Sequence, residues 1–386
     1  MRTIIKLFLL AIGVSSFLIA CEKAESLPFY GEGTAPVLTA SSTTLAPAPA
    51  DSNNTALTLS WTTPNYATDS ATYKFVIEMD SAGKNFANPN TKTVTGTLTA
   101  SFIAKELNSF LLARGYPFNV PVDMDVRLKS SYGNNNELKL SNVIKIKMTP
   151  YKPLPKVELP TSGRLYIVGD ATSGAWSNPV PVPSQEFSRL DETTWGGVFQ
   201  LTGGKSYLVL PTNNNVWDKK YGGTGGGNSN NVDGDNFKLG GNDLKAPAAS
   251  GVYKLIFDFQ AGKFTVTPYA GTLVTELFIV GNATPGDWTN PVPVPSQQFT
   301  RVNSSLYELT IALNADKSYL FLPTNGIWDK YGGMAGGNSN NVNGDDFKFN
   351  GSDLKAPAVS GTYKISVDFA ASDKAGASGR FKLVKQ

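Results

Sequence analysis

Four tryptophans in polar stretches are the residues whose type and spacing are best suited to chemistry. Trp176 and Trp288 each follow a glycine-containing turn and precede a Pro-Val-Pro run, and Trp217 and Trp328 each precede an Asp-Lys pair. A polar loop has no core to bury such a ring, so we expect the indoles to face solvent. The apolar C–H face of a pyranose sugar packs on a flat aromatic ring, while the sugar hydroxyls seek donors and acceptors. The four tryptophans therefore predict sites for stacking on sugars.

Polar side chains beside these rings are predicted to hydrogen-bond the sugar hydroxyls. The candidate glycan-binding residues are Trp176, Trp217, Lys219, Lys220, Tyr221 and Asn213 in one stretch, with Trp288, Trp328, Lys330, Tyr331 and Asn325 in another. The alternative interpretation is that the tryptophans close the ends of a hydrophobic core and contact no ligand. Trp195 is predicted to lie in the core or at its rim. The other aromatic residues that recur in both copies are assigned to the core: Tyr207, Tyr319, Phe237, Phe347, Tyr253 and Tyr363.

The composition excludes most catalytic and metal chemistry. The chain has no histidine, which excludes Ser-His-Asp and Cys-His catalysis and every His-ligated metal site. A glycoside hydrolase needs two carboxylates facing each other across one bond, and the repeated acids do not require that arrangement. Those acids are Asp218/Asp329, Asp235/Asp345, Asp243/Asp353 and Asp258/Asp368. The run Asn231–Asn236 lacks the ligand spacing of an EF-hand loop. We expect no catalytic residues, no metal and no cofactor.

The candidate residues occur twice because the chain contains a long tandem duplication. The stretch Leu165–Thr172 returns as Leu277–Thr284, with an offset of 112 residues as far as Asn213 and 110 residues after Tyr221. A period of this length indicates two copies of a domain rather than a solenoid of small units. Each copy is predicted to end in a β-hairpin, which in the first copy has a turn at Gln260–Gly262.

Alternation of apolar and polar residues predicts an all-β chain. In the N-terminal part the alternation runs through Leu57–Trp61, Tyr73–Met79 and Val122–Leu128. Trp61 is predicted to lie in the core, as in immunoglobulin-like and fibronectin-like sandwiches. One short helix is expected around Leu107–Leu111. The fold class is therefore an N-terminal sandwich of that kind followed by two tandem β-sandwiches.

The first residues are typical of a secretory leader with a lipoprotein box. Arg2 and Lys6 precede an apolar run from Leu7 to Ala20, which is shorter than the ~20 residues that span a membrane as a helix. Cys21 follows this run and is the only cysteine, so it is predicted to carry the lipid. The predicted segments are the leader at 1–20, the lipidated cysteine and tether at 21–36, the N-terminal sandwich at 37–150, copy 1 at 161–269 and copy 2 at 274–386.

The charge balance gives no reason to expect a nucleic-acid partner. Removing Arg2 and Lys6 from the 34 basic side chains leaves 32, against 31 acidic ones. A chain so close to neutral has no electrostatic attraction for a polyanion.

This arrangement resembles the SusE/SusF family of Bacteroidetes over the whole chain. The most specific parts of the resemblance are Tyr166–Trp176 and Leu210–Gly223. The resemblance implies an outer-membrane lipoprotein that faces the cell exterior and binds glycan without cleaving it. It implies carbohydrate-binding-module-like sandwiches in both copies, and an N-terminal sandwich without a glycan site. The chain departs from the family pattern at Val209 and Phe321, where family members commonly carry a basic residue.

The resemblance also implies partners. These are a polysaccharide, either starch or another α-glucan or a related glycan, a membrane reached through the lipid on Cys21, and a SusC/SusD-like porter complex. Hydrolysis is left to other proteins in such systems. The rival hypothesis is a structural or protein-interaction surface lipoprotein with no glycan site, and an unusual hydrolase is a third.

Overall fold

A computed structural model of the protein describes residues 32–225, 231–334, 344–372 and 374–386. The predicted leader, Cys21 and most of the predicted tether lie outside these residues. So do 226–230 and 335–343 in the glycine- and asparagine-rich stretches. The chain divides into two compact units, Met1–Leu154 and Pro155–Gln386. The second unit contains both sequence copies, which are called module 1 (161–269) and module 2 (274–386) below.

The N-terminal unit is a sandwich of two sheets. One sheet has the strand order β1-β3-β6, and the other has the order β2-β9-β7-β4-β5 with β8 paired to β7. The strands are β1 (Leu38–Ala40), β2 (Thr44–Leu45), β3 (Thr55–Trp61), β4 (Lys74–Ser81), β5 (Asn90–Thr95), β6 (Thr99–Ile103), β7 (Val122–Ser131), β8 (Lys139–Leu140) and β9 (Ile144–Met148).

The core of this unit joins its two sheets. Trp61 on β3 and Phe75 on β4 belong to different sheets, and their ring centroids are 5.2 Å apart. Both side chains are buried, which confirms the prediction that Trp61 is a core residue. The alternating burial along β7 follows from the two-residue period of a strand with one face on the core.

The one α-helix of the described residues, α1, spans Ala104–Ala113. Leu107 and Leu111 are buried on the same face because residues four apart lie one helical turn apart. Gly115 has a φ of +79°, and the helix ends where the N–H groups of Gly115 and Tyr116 donate to helix carbonyls. This is a Schellman-type C-cap that favours glycine. The predicted helix is therefore confirmed, and short 3-10 turns occur at Pro49–Asp51 and Ser70–Thr72.

Each module is built on one nine-stranded antiparallel sheet. In module 1 the order is β10-β13-β14-β15-β18-β17-β12-β11 with β16 paired to β13, and module 2 repeats it as β19-β22-β23-β24-β27-β26-β21-β20 with β25 paired to β22. The strands of module 1 are β10 (Tyr166–Val168), β11 (Ser188–Arg189), β12 (Thr194–Leu201), β13 (Ser206–Leu210), β14 (Tyr221–Gly223), β15 (Gly234–Leu239), β16 (Leu244–Lys245), β17 (Gly251–Asp258) and β18 (Lys263–Pro268). Those of module 2 are β19 (Phe278–Val280), β20 (Thr300–Arg301), β21 (Leu306–Leu313), β22 (Ser318–Leu322), β23 (Tyr331–Gly333), β24 (Asp345–Phe349), β25 (Leu354–Lys355), β26 (Gly361–Asp368) and β27 (Gly379–Lys385).

The two ends of each sheet come back together. A backbone bridge joins Tyr166 on the first edge strand to Glu186, two residues before the last edge strand, and Phe278 is joined to Gln298 in the same way. The sheet therefore curls around its own core, which leaves little edge free for pairing with another chain. The all-β fold class predicted from the alternation is confirmed.

The inside of each curled sheet holds the aromatic residues that were assigned to the core. Trp195 is buried, as are Tyr207, Tyr319, Phe237, Phe347, Tyr253 and Tyr363. Several rings meet edge to face, for example Phe237 with Phe257 at 5.1 Å and Phe347 with Phe369 at 5.1 Å. Such packing places the positive edge of one ring against the negative face of the next.

Candidate functional site

Strands β10 and β13 are covered on both faces, and the candidate site lies on the outer one. Leu165 and Ile167 point into the main core, whereas alternate residues point outward and form a small second cluster. Trp176 packs against this cluster and remains half-exposed. The cluster consists of Tyr166, Val168, Val180, Leu208 and Leu210. Module 2 repeats it beneath Trp288 with Phe278, Val280, Val292, Leu320 and Leu322.

A buried glutamine holds the turn that carries Trp176. The Gln185 side-chain oxygen accepts a hydrogen bond from the Gly174 N–H at 2.8 Å, and its Nε2 donates to the Ile167 carbonyl at 2.7 Å. Ala175 has a φ of +45°, and its carbonyl accepts from the Gly169 N–H. The turn is therefore tied to strand β10 from both sides, which fixes the direction of the indole that follows.

Module 2 uses the same device with nearly the same distances. Gln297 accepts from the Gly286 N–H at 2.7 Å and donates to the Ile279 carbonyl at 2.6 Å. Asp287, directly before Trp288, has a φ of +52°. Two copies that diverged elsewhere have kept the hydrogen bonds that orient this tryptophan.

An asparagine clamp joins the loop of the first tryptophan to the loop of the second. Asn213 accepts from the Val180 N–H at 2.5 Å and donates to the Val180 carbonyl at 3.2 Å. Asn325 bonds both backbone groups of Val292 at 2.7 and 3.2 Å. In each module the clamp fixes the Pro-Val-Pro run against the stretch that leads to Trp217 or Trp328.

The two indoles of module 1 form a tilted pair. The ring centroids of Trp176 and Trp217 are 6.4 Å apart, with 47° between the ring planes. Trp217 is 37% exposed. Asn178 supports its loop by accepting from the Asn215 N–H at 3.1 Å and donating to the Val216 carbonyl at 3.0 Å. We call Trp176 with Trp217 the platform of module 1, and Trp288 with Trp328 the platform of module 2.

The platform of module 2 is more open. Trp328 is 54% exposed, and among the described residues no ring contact joins it to Trp288. Its loop, between β22 and β23, is two residues shorter than the loop between β13 and β14 of module 1. Asn290 accepts from the Gly326 N–H at 2.8 Å, but its buried Nδ2 has no hydrogen-bond partner among the described residues. The two platforms therefore share their supports but differ in how tightly the second indole is held.

Two of the candidate contacts are corrected by burial. Tyr221 is 2% exposed and Tyr331 is 1% exposed, so neither ring offers a face to a ligand. Tyr221 meets Phe259 in the core, and its hydroxyl donates to the Glu158 carbonyl at 3.0 Å. Burial raises the pKa of the Tyr331 hydroxyl to about 12, so the group stays neutral. The sequence prediction placed both tyrosines in the polar loop. They are instead the first residues of strands β14 and β23, where their side chains are buried in the core.

The clamp asparagines also have a different role from the one predicted. Both functional groups of the Asn213 and Asn325 amides are occupied by Val180 and Val292 backbone groups, so these side chains position the loops. The lysines fit the prediction better. Lys219 is exposed, and its only ion pair among the described residues is with the equally exposed Glu158, at 3.6 Å from Nζ to Oε1. Lys220 and Lys330 are half-exposed directly before the buried tyrosines.

Val209 and Phe321 stand where members of the family commonly carry a basic residue. Both side chains are buried in the main cores of their modules, whereas the neighbouring Leu208 and Leu320 face the platforms. A polar contact to a ligand therefore cannot come from these positions. Sequence reasoning also missed Gln185 and Gln297, although their identity in the two copies was a usable signal.

Removing the clamp is expected to weaken ligand binding without unfolding the module. Asn213→Ala leaves two backbone groups of Val180 without their partner, which costs about 1–2 kcal/mol and lets the two indoles move relative to each other. We expect a several-fold loss of affinity at module 1. Asn214→Ala is the matched control, because Asn214 is the exposed neighbour. Affinity electrophoresis measures both variants, and equal mobility of the two would contradict the role of the clamp.

The repeated acids do not gather into a site. Asp218 and Asp329 are exposed beside the platforms, whereas Asp368 is buried and hydrogen-bonded. No group of three or more His, Cys, Asp or Glu side chains is placed to hold a metal ion in the part of the chain that the structure describes. Within the same part, no helix is long and apolar enough to cross a membrane.

Fold and site together define a class: a tandem β-sandwich protein with indole platforms on its surface. Residues 23–129 match the family model described as SusE outer membrane protein, which supports an outer-membrane location. Over these residues the chain is similar to the SusE family. Among solved structures, the crystal structure of SusF from Bacteroides thetaiotaomicron is similar at 17% identity and a TM-score of 0.32, covering 92% of this chain and 77% of that one. No curated protein matches the chain.

Proposed function

We propose that this protein is a non-catalytic surface lipoprotein that binds polysaccharide through both modules. The observation that carries the proposal is the pair of partly exposed indoles on one outer face of module 1, 6.4 Å apart and held by buried side chains. A ring supported in this way does not have to be ordered when a ligand arrives, so less conformational entropy is lost on binding. Module 2 carries the same supports under Trp288.

The proposed contact combines stacking with hydrogen bonds at the rim. Sugar C–H faces pack on the exposed indole faces, and Lys219, Lys220 and Lys330 donate to hydroxyls. The lysines are all-donor groups, so they suit the oxygen lone pairs of a neutral polysaccharide. The resemblance to the SusE/SusF family makes starch, another α-glucan or a related glycan the first ligands to test. Anchoring through Cys21 and cooperation with a SusC/SusD-like porter are part of the same proposal.

Avidity is expected to raise the strength of binding. A shallow platform buries little area, so each module alone should bind weakly. Two modules on one chain that meet one polymer make the second contact intramolecular, which raises its effective concentration.

Tryptophan fluorescence tests the proposal directly. Of the six tryptophans, Trp61 and Trp195 are buried and the four platform rings are partly exposed, so a glycan that stacks should shift or quench the emission. Amylopectin, pullulan, dextran, xylan and mixed-linkage β-glucan form a suitable panel. A response to one or more polymers supports the proposal. Silence across the panel favours a protein-interaction role, and release of reducing ends from a bound polymer would identify a hydrolase.

A further inference from the structure

The two modules share an extended contact that buries side chains of both. Val198 on β12 is 3% exposed and belongs to the hydrophobic cluster of module 2, together with Phe369 and Ala370. Leu190 and Val252 of module 1 also pack against that cluster. We call this contact the seam. It buries apolar surface of module 1 that would otherwise face water.

Polar contacts lock the seam in one register. Ser188 Oγ donates to Asp368 Oδ2 at 2.5 Å, and the Ser304 N–H donates to the Glu186 carbonyl at 2.9 Å. Lys254 Nζ donates to the Ser372 carbonyl at 2.5 Å. Directional bonds at separate points resist both sliding and rotation of one module on the other.

Asp368 marks the seam as a specialised surface. Its side chain is buried and also accepts from the Ala370 N–H at 2.9 Å. Burial raises the pKa of Asp368 above the ordinary value, against the opposing effect of the hydrogen bond from Ser188. Its counterpart in module 1, Asp258, is half-exposed and accepts from the nearby Ala261 N–H. The same aspartate has therefore been recruited to a contact in only one copy.

Two glycines on β12 allow the close approach. A Cβ atom added at Gly196 would lie 3.1 Å from Ala370 Cβ, and one added at Gly197 would lie 2.8 Å from Ser304 Oγ. Both are tighter than ordinary van der Waals contact, and both also crowd side chains within module 1. A larger residue at either position would push module 2 away.

The equivalent face of module 2 is exposed and charged rather than buried in a contact. Gly196 and Gly197 correspond to Glu308 and Leu309 on β21, and buried Val198 corresponds to exposed Thr310. Glu308 pairs with Lys364 Nζ at 2.9 Å, where the corresponding Lys254 of module 1 reaches across the seam. Duplication thus produced two similar surfaces, of which one became an interface and the other a solvated, charged face.

We infer that the seam holds the two platforms in one fixed relative arrangement, so that the protein selects long polysaccharide chains able to reach both platforms in that arrangement. The inference rests on the proposed function and deepens it. Two rigidly joined modules lose no inter-module freedom when both bind one chain. Their affinity is therefore higher for a polysaccharide whose conformation reaches both platforms, and lower for one whose conformation does not. Short oligosaccharides, which occupy one platform, do not sense the seam.

A charge placed in the seam tests this inference. Val198→Glu puts a carboxylate into a buried apolar contact, where an unpaired charge is strongly disfavoured, while Thr310→Glu is the same change at the corresponding exposed site of module 2. Amylopectin and maltotriose are the probes for polymer and single-platform binding, and small-angle X-ray scattering of the full chain reports the spacing of the modules. We expect Val198→Glu to change the scattering, to weaken amylopectin binding at least about tenfold and to leave maltotriose binding unchanged. Thr310→Glu should alter none of the three.

The outcomes separate the inference from the function on which it rests. Scattering that changes while amylopectin affinity stays at the native level would overturn the inference, as would scattering unaffected by Val198→Glu. A native protein that binds neither amylopectin nor maltotriose, nor any other polymer of the panel, would instead reject the proposed function. If Val198→Glu does not fold, Ser188→Ala combined with Lys254→Ala removes two of the polar contacts without adding charge, and the same readings apply.

Discussion

Trp176→Ala combined with Trp288→Ala is expected to abolish retention of the protein in polysaccharide affinity gels. Each change removes the indole that packs on the outer cluster of its module, and in module 1 it also leaves Trp217 without its ring neighbour. Tryptophans at the centre of an interface typically contribute about 2 kcal/mol or more each. Losing both removes both halves of the bivalent contact, so avidity cannot compensate for either loss.

The control for this experiment uses exposed apolar residues away from the platforms. Leu138→Ala combined with Val359→Ala removes two side chains that are more than half exposed, and we expect native retention. Since Trp176 and Trp288 are half-buried, a second pair, Trp217→Ala with Trp328→Ala, tests the more exposed rings with less risk to folding. Native retention of both tryptophan pairs, on a polymer that retards the unaltered protein, would show that the platforms are not the binding site.

Asp80→Asn is expected to destabilise the N-terminal unit by about 3 kcal/mol, because breaking a buried ion pair leaves its partner uncompensated. Asp80 Oδ1 lies 2.7 Å from Arg114 Nη1, and the carboxylate accepts from the N–H groups of Ser81 and Asn88. Its side chain is 2% exposed. Hydrogen exchange of strand β4, followed by mass spectrometry, reports the opening free energy of this unit.

The pH dependence of the same carboxyl group gives a second reading. Burial by itself raises the pKa of Asp80, but the hydrogen bonds from Asn88 and Ser81 and the charge of Arg114 outweigh it, so the pKa lies below the ordinary value. A carboxyl group with a lowered pKa stabilises the fold above its unfolded pKa, about 3.9, and this contribution is lost as the pH falls through the folded pKa. In the Asp80→Asn variant, the free energy of unfolding of this unit should no longer contain the contribution that the native protein loses at low pH.

The matched control for Asp80 is Asp123→Asn on β7. Asp123 Oδ1 lies 3.2 Å from Lys147 Nζ, and both side chains are largely exposed. Exposed pairs contribute about 0–1 kcal/mol, so the control should stay near the native stability. If the two substitutions reduced stability by similar amounts, burial would not be the reason why the Asp80–Arg114 pair stabilises the unit.

Several features of the fold followed from local pattern alone. The hairpin of β17 and β18 has its turn at the predicted Gln260–Gly262, and Trp195 lies in the core. Strand alternation and the glycine at a helix end act through neighbouring residues, so their effect is visible without the rest of the chain. The duplication showed which loop residues recur, and it located all four platform tryptophans.

Other features depend on contacts between residues far apart in the chain. Tyr221 follows a polar loop, yet the curling of the sheet turns its ring into the core beside Phe259. Asn213 looked available to a ligand, but Val180, 33 residues away, occupies its amide. The sequence by itself determined the two all-β copies and the polar loops that carry the indoles. Only the tertiary structure decided which side chains those loops leave free and that Gly196 and Gly197 face a second module, because both depend on what the folded chain brings against them.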